Sequence, residues 1–190
     1  MAIRGGGSIF DNLTPDDLIL AFFPCIYFCE ASQSYFMLTN NNYSKLSDFE
    51  KIEKIIARNK KRGIFFELLN KMIGICFLKG FRIVFENPWT QPHFLANAFL
   101  KKPDIVDNDR TLRGDFFRKP TSYWFFNCKP TKMFTMQQDK DVMRVWDAGR
   151  GDAGTCSKER SLISPDYARN FICDFILGKP QPDIDPKLFY

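Results

Sequence analysis

The sequence predicts an α/β fold built on a parallel sheet. A short apolar segment at 17–25 precedes a long helical pattern at 48–78, and a second short apolar segment follows at 81–88. The two apolar segments are ended by Pro24 and Pro88. Strand, helix and strand in this order form the βαβ unit of parallel sheets. The chain has 190 residues, 45% of them hydrophobic, which is enough for one domain with a sizeable core.

The first half of the chain carries the clearest signals for individual elements. The apolar residues of 17–25 form a continuous run, which predicts a strand buried on both faces. Residues 39–47 are polar and predict a loop. Ser47 followed by Glu50 is a capping box that begins the long helix, and Lys79-Gly80 ends it. The first half of this helix is charged and the second half is mostly apolar, so we expect the second half to be buried.

Shorter elements follow the second strand. Residues 93–100 predict a short helix, and 103–109 predict a third strand. A basic connector at 109–119 leads to an aromatic fourth strand at 121–128. Because side chains alternate between the two faces of a strand, we expect half of these aromatic residues to lie in the core.

The C-terminal third contains one clear element. Residues 129–160 are polar, contain three glycines and lack periodicity, which predicts a loop or an insert. Ser164 as N-cap and Pro165 at the first helical position begin a last helix at 163–178. The proline-rich tail from Lys179 predicts a loosely held end.

Composition and cysteine use exclude several classes of protein. No apolar run reaches the roughly 18 residues of a membrane span, and the N-terminus lacks the apolar segment of a signal peptide. We interpret the six cysteines as reduced thiols of a cytoplasmic protein. Cys25 and Cys29 have no paired motif that would complete a zinc site, so no metal is predicted. The single histidine, His93, argues against a histidine-based triad.

Candidate functional residues end the two predicted strands. Ligands of such sheets bind beyond the carboxyl ends of the strands, which here are Pro24-Cys25 and Glu86-Asn87. Cys25 is either a nucleophile with a lowered pKa or a buried structural thiol. Glu86 is either a partly desolvated acid that holds a proton or a solvated carboxylate that caps the next helix.

The basic connector and the aromatic strand suggest a polyanionic partner. Arg110, Arg113, Arg118 and Lys119 either contact phosphates or form a solvated basic loop. Aromatic residues of 121–128 offer stacking surfaces for bases. The net charge of +5 is compatible with such a partner without requiring one.

These motifs resemble the catalytic half of DNA cytosine-5 methyltransferases, which carry a Pro-Cys nucleophile after one strand and a Glu-Asn pair after the next. RSLISPDYARNF is similar to a later helix of those enzymes, and DRTLRGD is similar to their arginine motif. AFFPCIYFCEASQ, VFENPW, KPTSYWFFNC and CSKERSLISPDYARNFICDFILGK more closely resemble a family of methyltransferase-like proteins from gut bacteria and their phages. The similarity covers nearly the whole chain from about Ser8.

The resemblance implies a fold and a mechanism. The fold would be a partial Rossmann-like, class I methyltransferase sheet with flanking helices and a loop-rich C-terminal insert. Cys25 would attack C6 of a cytosine flipped out of DNA, at a cost of about a few kcal/mol for flipping. Glu86 would hydrogen-bond N3 and the amino group, and S-adenosylmethionine would supply the methyl group. The implied substrate contacts are Pro24, Asn87, Arg110 and Arg113.

The chain also departs from the family pattern. Ile26 follows Pro-Cys where the family has Gln, Pro88 follows Glu-Asn where it has Val, and the terminal Gly-Asn motif is absent. The chain begins at the strand that carries Cys25, so it resembles the C-terminal two-thirds of a methyltransferase. We therefore expect a second chain or an upstream segment to supply the cofactor-binding half. A sheet without its first strands would have an exposed edge.

The sequence thus predicts four segments and leaves two functions open. The segments are a catalytic-half α/β core at 1–128, a loop or target-recognition insert at 129–160, a helix packed on the core at 161–178 and a flexible tail at 179–190. One function is the catalytic portion of a cytosine methyltransferase acting on DNA. The other is a non-catalytic remnant, derived from a mobile element, that binds nucleic acid or a protein partner.

Overall fold

The predicted order of strands and helices is present in the structure. The computed structural model describes residues 7–28, 33–38, 41–89, 93–131, 143–144 and 162–179. The strands are β1 (Leu18–Phe22), β2 (Arg82–Pro88), β3 (Ile105–Asp107), β4 (Phe117–Arg118), β5 (Thr121–Phe126) and β6 (Met143–Arg144). The helices are α1 (Gln33–Met37), α2 (Asp48–Lys79), α3 (Phe94–Ala98) and α4 (Pro165–Phe171).

A four-stranded mixed sheet in the order β1-β2-β5-β3 forms the centre of the fold. β1 and β2 are parallel, which confirms the predicted βαβ unit. β5 is antiparallel to both β2 and β3, so the sheet is mixed beyond the predicted parallel pair. A parallel return usually uses a crossover helix, and the connector between β3 and β5 holds only a 3₁₀ turn and the short β4. The fold is therefore mixed α/β.

β1 lies at the edge of this sheet, which corrects the prediction that both of its faces are buried. Ile19 and Ala21 pack against the core, whereas Leu20 and Phe22 are exposed. A continuous apolar run is common to central and edge strands, and the neighbours of a strand decide its exposure. Among the described strands, β1 has a partner only in β2.

α2 begins and ends where the capping signals predict. The Ser47 hydroxyl oxygen accepts a hydrogen bond from the Glu50 amide at 3.3 Å, and the Glu50 carboxylate accepts one from the Ser47 amide at 2.8 Å. Gly80 ends the helix with a left-handed φ of 73°. The buried residues Leu69 and Ile73 lie in the second half, as predicted. The 32-residue helix is about 48 Å long, so its first half extends beyond the sheet.

Both faces of the sheet carry a hydrophobic core. Leu69 of α2 packs with Phe85 and Trp124 on one face. Phe171 of α4 packs with Val84 and Tyr123 on the other face. Because both faces are covered, all six residues of β5 are buried, rather than the alternate half that the sequence predicts.

The last helix begins as predicted but changes its winding. The Ser164 hydroxyl accepts a hydrogen bond from the Tyr167 amide at 3.0 Å, and Pro165 is the first helical residue. Beyond α4, residues Ile172–Leu177 form a π-helical turn. Thr131 donates through its hydroxyl to the Asp174 carbonyl at 2.6 Å and through its amide to the Phe175 carbonyl at 3.0 Å. These bonds satisfy carbonyl groups that the wider turn leaves available.

Two further predictions concern the ends and the surroundings of the fold. Of the insert predicted at 129–160, the structure describes only residues 129–131 and 143–144. Residues 143–144 form the short strand β6, which pairs in parallel with β4. The predicted tail lies outside the described residues except for Lys179. No helix in the described ranges has both the length and the apolar character that crossing a bilayer requires.

Candidate active site

Pro24-Cys25 and Glu86-Asn87 lie together at the carboxyl edge of the sheet. β1 and β2 run side by side with Phe22 opposite Glu86, so both motifs follow from the same end of the parallel pair. Cys25 begins a 3₁₀ turn, Cys25–Tyr27, and its thiol is exposed. The alternative of a buried structural thiol is therefore wrong for Cys25. The structure brings together the four residues that the βαβ pattern predicts as a site.

The Glu86 carboxyl is buried beside a cavity. Its residue is 8% exposed, and burial raises its pKa because the charged form is desolvated. Lys119 and Arg110 oppose this rise of the pKa, whereas negative charge on Cys25 adds to it. The cavity of about 60 Å³ is lined by Glu86, Phe22 and residues of β5 and α4. Glu86 therefore fits the interpretation of a desolvated acid.

Asn87 holds the Cys25 turn in place from the opposite face of the sheet. Its side-chain amide donates to the Phe23 carbonyl at 3.4 Å, and its Oδ1 contacts His93 Nε2 at 3.1 Å. At the other end of the turn, the Phe94 amide donates to the Phe28 carbonyl at 2.9 Å. The Asn87 side chain is fully buried, so it positions the backbone that carries Cys25.

His93 is a part of this arrangement that the sequence reasoning missed. Its Nδ1 accepts a hydrogen bond from the Leu95 amide at 3.2 Å and caps α3. Nε2 therefore carries the proton and donates it to Asn87. This cap also excludes the alternative in which Glu86 caps the next helix. The only sequence signal is that His93 follows Asn87 by six residues. That spacing alone does not identify a side-chain cap or a contact with Asn87.

His93 is expected to stay neutral far below the ordinary pKa of histidine. Burial lowers its pKa from 6.5 to about 4. His93 therefore binds a proton more tightly in the unfolded chain than in the folded protein. Above pH 6.5 the residue is neutral in both states, and the folded protein keeps its full stability. Stability is lost as the pH falls towards 4, at up to about 1.4 kcal/mol per pH unit. Because the chain has one histidine, an NMR titration of the imidazole measures this pKa directly.

Urea unfolding at several pH values provides the control for this prediction. In His93→Gln, the loss of stability between pH 6.5 and 4 should be smaller than in the wild type. Glu86 acts in the opposite direction, since a raised pKa adds stability on acidification, and it is present in both proteins. An imidazole that titrates near pH 6.5 in the folded protein would contradict the buried, neutral assignment.

Arg110 and Arg113 lie inside the protein. Arg110 is 1% exposed, forms an ion pair with Asp115 and stacks on the Tyr167 ring at 4.3 Å. Arg113 forms ion pairs at 2.9 Å with both Asp107 and Asp174. The alternative of a solvated basic loop is wrong for these two residues. Their guanidinium groups hold β3, the following turn and the last helix together, away from the surface where phosphates bind.

The other two cations of the connector lie further out. Arg118 pairs with Asp109 at 3.1 Å, and its side chain is 47% exposed. Lys119 is partly buried and lies close enough to Glu86 to lower the pKa of that carboxyl. Of the four predicted phosphate contacts, these two remain accessible.

A buried chain of hydroxyl groups runs next to Glu86, and sequence reasoning missed it. The Tyr123 and Tyr167 hydroxyl oxygens are 2.6 Å apart, and the Tyr167 hydroxyl donates to Asp107 at 3.1 Å. Since a carboxylate only accepts, the Tyr167 hydroxyl donates a hydrogen bond to Asp107, and the Tyr123 hydroxyl donates one to Tyr167. Burial raises the pKa of both phenols, so both stay protonated. Tyr123 lies opposite Glu86 in the sheet, a register that no local pattern predicts.

The described residues hold no cluster of three or more histidine, cysteine, aspartate or glutamate side chains that would bind a metal ion. No protein-family model, no curated protein and no solved structure matches the chain. A function for this site therefore depends on its geometry and on the motif resemblance.

Proposed function

We propose that the chain is the catalytic portion of a DNA cytosine-5 methyltransferase, with Cys25 as nucleophile and Glu86 as the acid that holds a proton. One observation carries the proposal. Pro24-Cys25 and Glu86-Asn87 end adjacent parallel strands in register, with the Cys25 thiol exposed and the Glu86 carboxyl buried. The partial class I methyltransferase sheet that the resemblance implies has its Pro-Cys and Glu-Asn motifs at such neighbouring strand ends.

The chemistry of the two residues is complementary. The Cys25 thiolate, once its proton has passed to water, adds to C6 of a flipped-out cytosine and forms a sulfur–carbon bond. The C5=C6 electron pair becomes the C4=C5 bond, and the C4=N3 pair moves onto N3. N3 then takes the proton of the Glu86 carboxyl, which becomes a carboxylate. C5 of the adduct is then an enamine carbon and a nucleophile. The raised pKa of Glu86 allows it to hold that proton until the addition occurs.

The methyl donor that the resemblance implies, S-adenosylmethionine, does not fit the described residues. A nucleotide-type cofactor in such folds binds at a glycine-rich turn between a strand and a helix. Gly63 and Gly74 lie within α2, Gly80 and Gly178 cap helix ends, and Gly114 ends a 3₁₀ turn. No described glycine follows a strand. We derive no step through the donor and propose that a second chain, paired with the edge of β1, supplies its site.

A second candidate is a non-catalytic protein that binds nucleic acid or a protein partner. The missing glycine turn in the described part of the chain favours it. Phosphate contacts would make its DNA binding weaken steeply with salt. It would form no covalent bond with any base, which separates it from the first candidate.

DNA that contains 5-azacytosine tests the proposal without a methyl donor. The ring nitrogen at position 5 makes C6 more electrophilic, so a thiol adds without methyl transfer. We expect the wild-type protein to form a one-to-one covalent adduct with a single-stranded oligonucleotide, detected by intact mass. Glu86→Gln keeps the side-chain volume but cannot transfer a proton to N3, so adduct formation should slow by about 10²-fold.

Glu53→Gln, which neutralises an exposed carboxylate on α2, is the matched control and should keep the wild-type rate. An equal rate in Glu86→Gln and the wild type would remove Glu86 from the mechanism. No adduct in the wild type, together with DNA binding that falls steeply with salt, would support the second candidate instead.

A further inference from the structure

We propose that two copies of this chain associate through the outward face of α2, with the two helices antiparallel about a two-fold axis. We call the side of α2 opposite its buried residues the outward line. It holds Phe49, Ile56, Lys60, Ile64, Glu67 and Leu78. These residues recur at spacings close to whole turns of an α-helix, so they share one face. The inference is independent of the methyltransferase proposal.

The outward line is apolar at both ends although it faces away from the core. Phe49 is 70% exposed and Leu78 is 89% exposed, and Ile56 and Ile64 between them are also exposed. The buried residues of α2 are confined to its second half, on the opposite face. Exposed apolar residues that recur along the outward side of a long helix are typical of a surface that contacts another protein.

The outward line is complementary to itself in antiparallel order. We place the two-fold axis between Gly63 and Ile64. The pairs across the axis are then Phe49 with Leu78, Ile56 with Lys71, and Lys60 with Glu67. Glu67 also pairs with Lys71 of its own helix at 2.5 Å. Apolar residues meet at both ends of the interface, and unlike charges meet near its centre. A parallel pairing would oppose Lys60 to Lys60 and Glu67 to Glu67, so the charges select the antiparallel arrangement.

Two glycines on the outward side support close approach of the helices. A Cβ atom added to Gly63 or Gly74 would meet no atom within 4 Å, so nothing inside the described chain requires glycine at either position. Glycine destabilises the interior of a helix relative to alanine. Across the proposed axis, Gly63 faces Ile64 of the other copy, and the missing Cβ leaves room for that side chain.

A charge exchange tests the arrangement. Sedimentation velocity over a concentration series should show the wild type in a monomer–dimer equilibrium. Lys60→Glu alone and Glu67→Lys alone each create two like-charge contacts about the axis. Each should raise the dimer dissociation constant by about tenfold or more. The double variant Lys60→Glu/Glu67→Lys restores both pairs with reversed polarity and should return the constant to near its wild-type value.

Lys61→Glu is the matched control, because Lys61 is exposed but lies about 100° around the helix from Lys60. It should leave the dissociation constant near that of the wild type, and circular dichroism should show unchanged helix content in every variant. A wild-type monomer at all concentrations would overturn the proposal and assign this face to a different partner. Equal weakening by Lys61→Glu, or a double variant that stays weak, would also overturn it.

Discussion

Cys25→Ser is expected to abolish the covalent adduct with 5-azacytosine DNA, with a loss of rate of about 10³-fold or more. A serine hydroxyl is a far weaker nucleophile than a thiolate at neutral pH. The turn that carries Cys25 is held by the Phe23 and Phe28 carbonyls, which the substitution leaves in place. The fold should therefore be kept, and unfolding curves of the two proteins should coincide within about 0.5 kcal/mol.

Cys128→Ser is the control for this prediction. Cys128 is partly buried, its thiol contacts the Ile83 carbonyl at 3.9 Å, and burial raises its pKa. Its thiolate is therefore scarce at neutral pH, and its replacement should leave the adduct unchanged. Persistence of the adduct in Cys25→Ser, with a different cysteine identified by peptide mapping, would contradict the assignment of the nucleophile.

Arg113→Met is expected to lower the free energy of unfolding by about 3–5 kcal/mol. Arg113 is the ion-pair partner of two buried carboxylates, Asp107 and Asp174, each at 2.9 Å. Methionine fills much of the same volume but removes the guanidinium that both carboxylates pair with, and losing one partner of a buried ion pair is strongly destabilising. Urea denaturation at neutral pH measures the effect.

The exposed Arg118 gives the matched control for Arg113. Its pair with Asp109 is solvent-screened, so Arg118→Met should change the free energy of unfolding by less than about 1 kcal/mol. If Arg113→Met does not fold, the triple variant Asp107→Asn/Arg113→Met/Asp174→Asn provides the test, because it removes the buried charges as well. This variant should recover a folded state. A loss in Arg113→Met no larger than in Arg118→Met would contradict the buried-network interpretation.

Local signals in the sequence predicted the backbone of the site. Ser47 and Glu50 fixed the start of α2, and the prolines after 17–23 and 81–87 marked the ends of the two parallel strands. These signals act within a few residues, so they can be read along the chain. The chemistry at the strand ends followed from the general position of ligand sites in such sheets.

Features that depend on distant partners could not be predicted in this way. The burial of Arg110 and Arg113 depends on residues of the last helix, namely the Tyr167 ring under Arg110 and Asp174, 61 residues from Arg113. The edge position of β1 depends on which strands pair, and the register of Tyr123 against Glu86 depends on an antiparallel return. Composition and spacing carry no information about these long-range choices.

The two sides of the cavity beside Glu86 are held in different ways. On its α4 side, Tyr167 donates a hydrogen bond to Asp107, and the Ser164 hydroxyl donates one to the Gly114 carbonyl at 2.7 Å. These two bonds connect the helix to β3 and to the turn that follows it. Its β1 side is a single edge strand, whose Phe22 lines the cavity and is also partly exposed to solvent. Among the described strands, the β1 side of the cavity therefore depends on a single pairing, the one between β1 and β2.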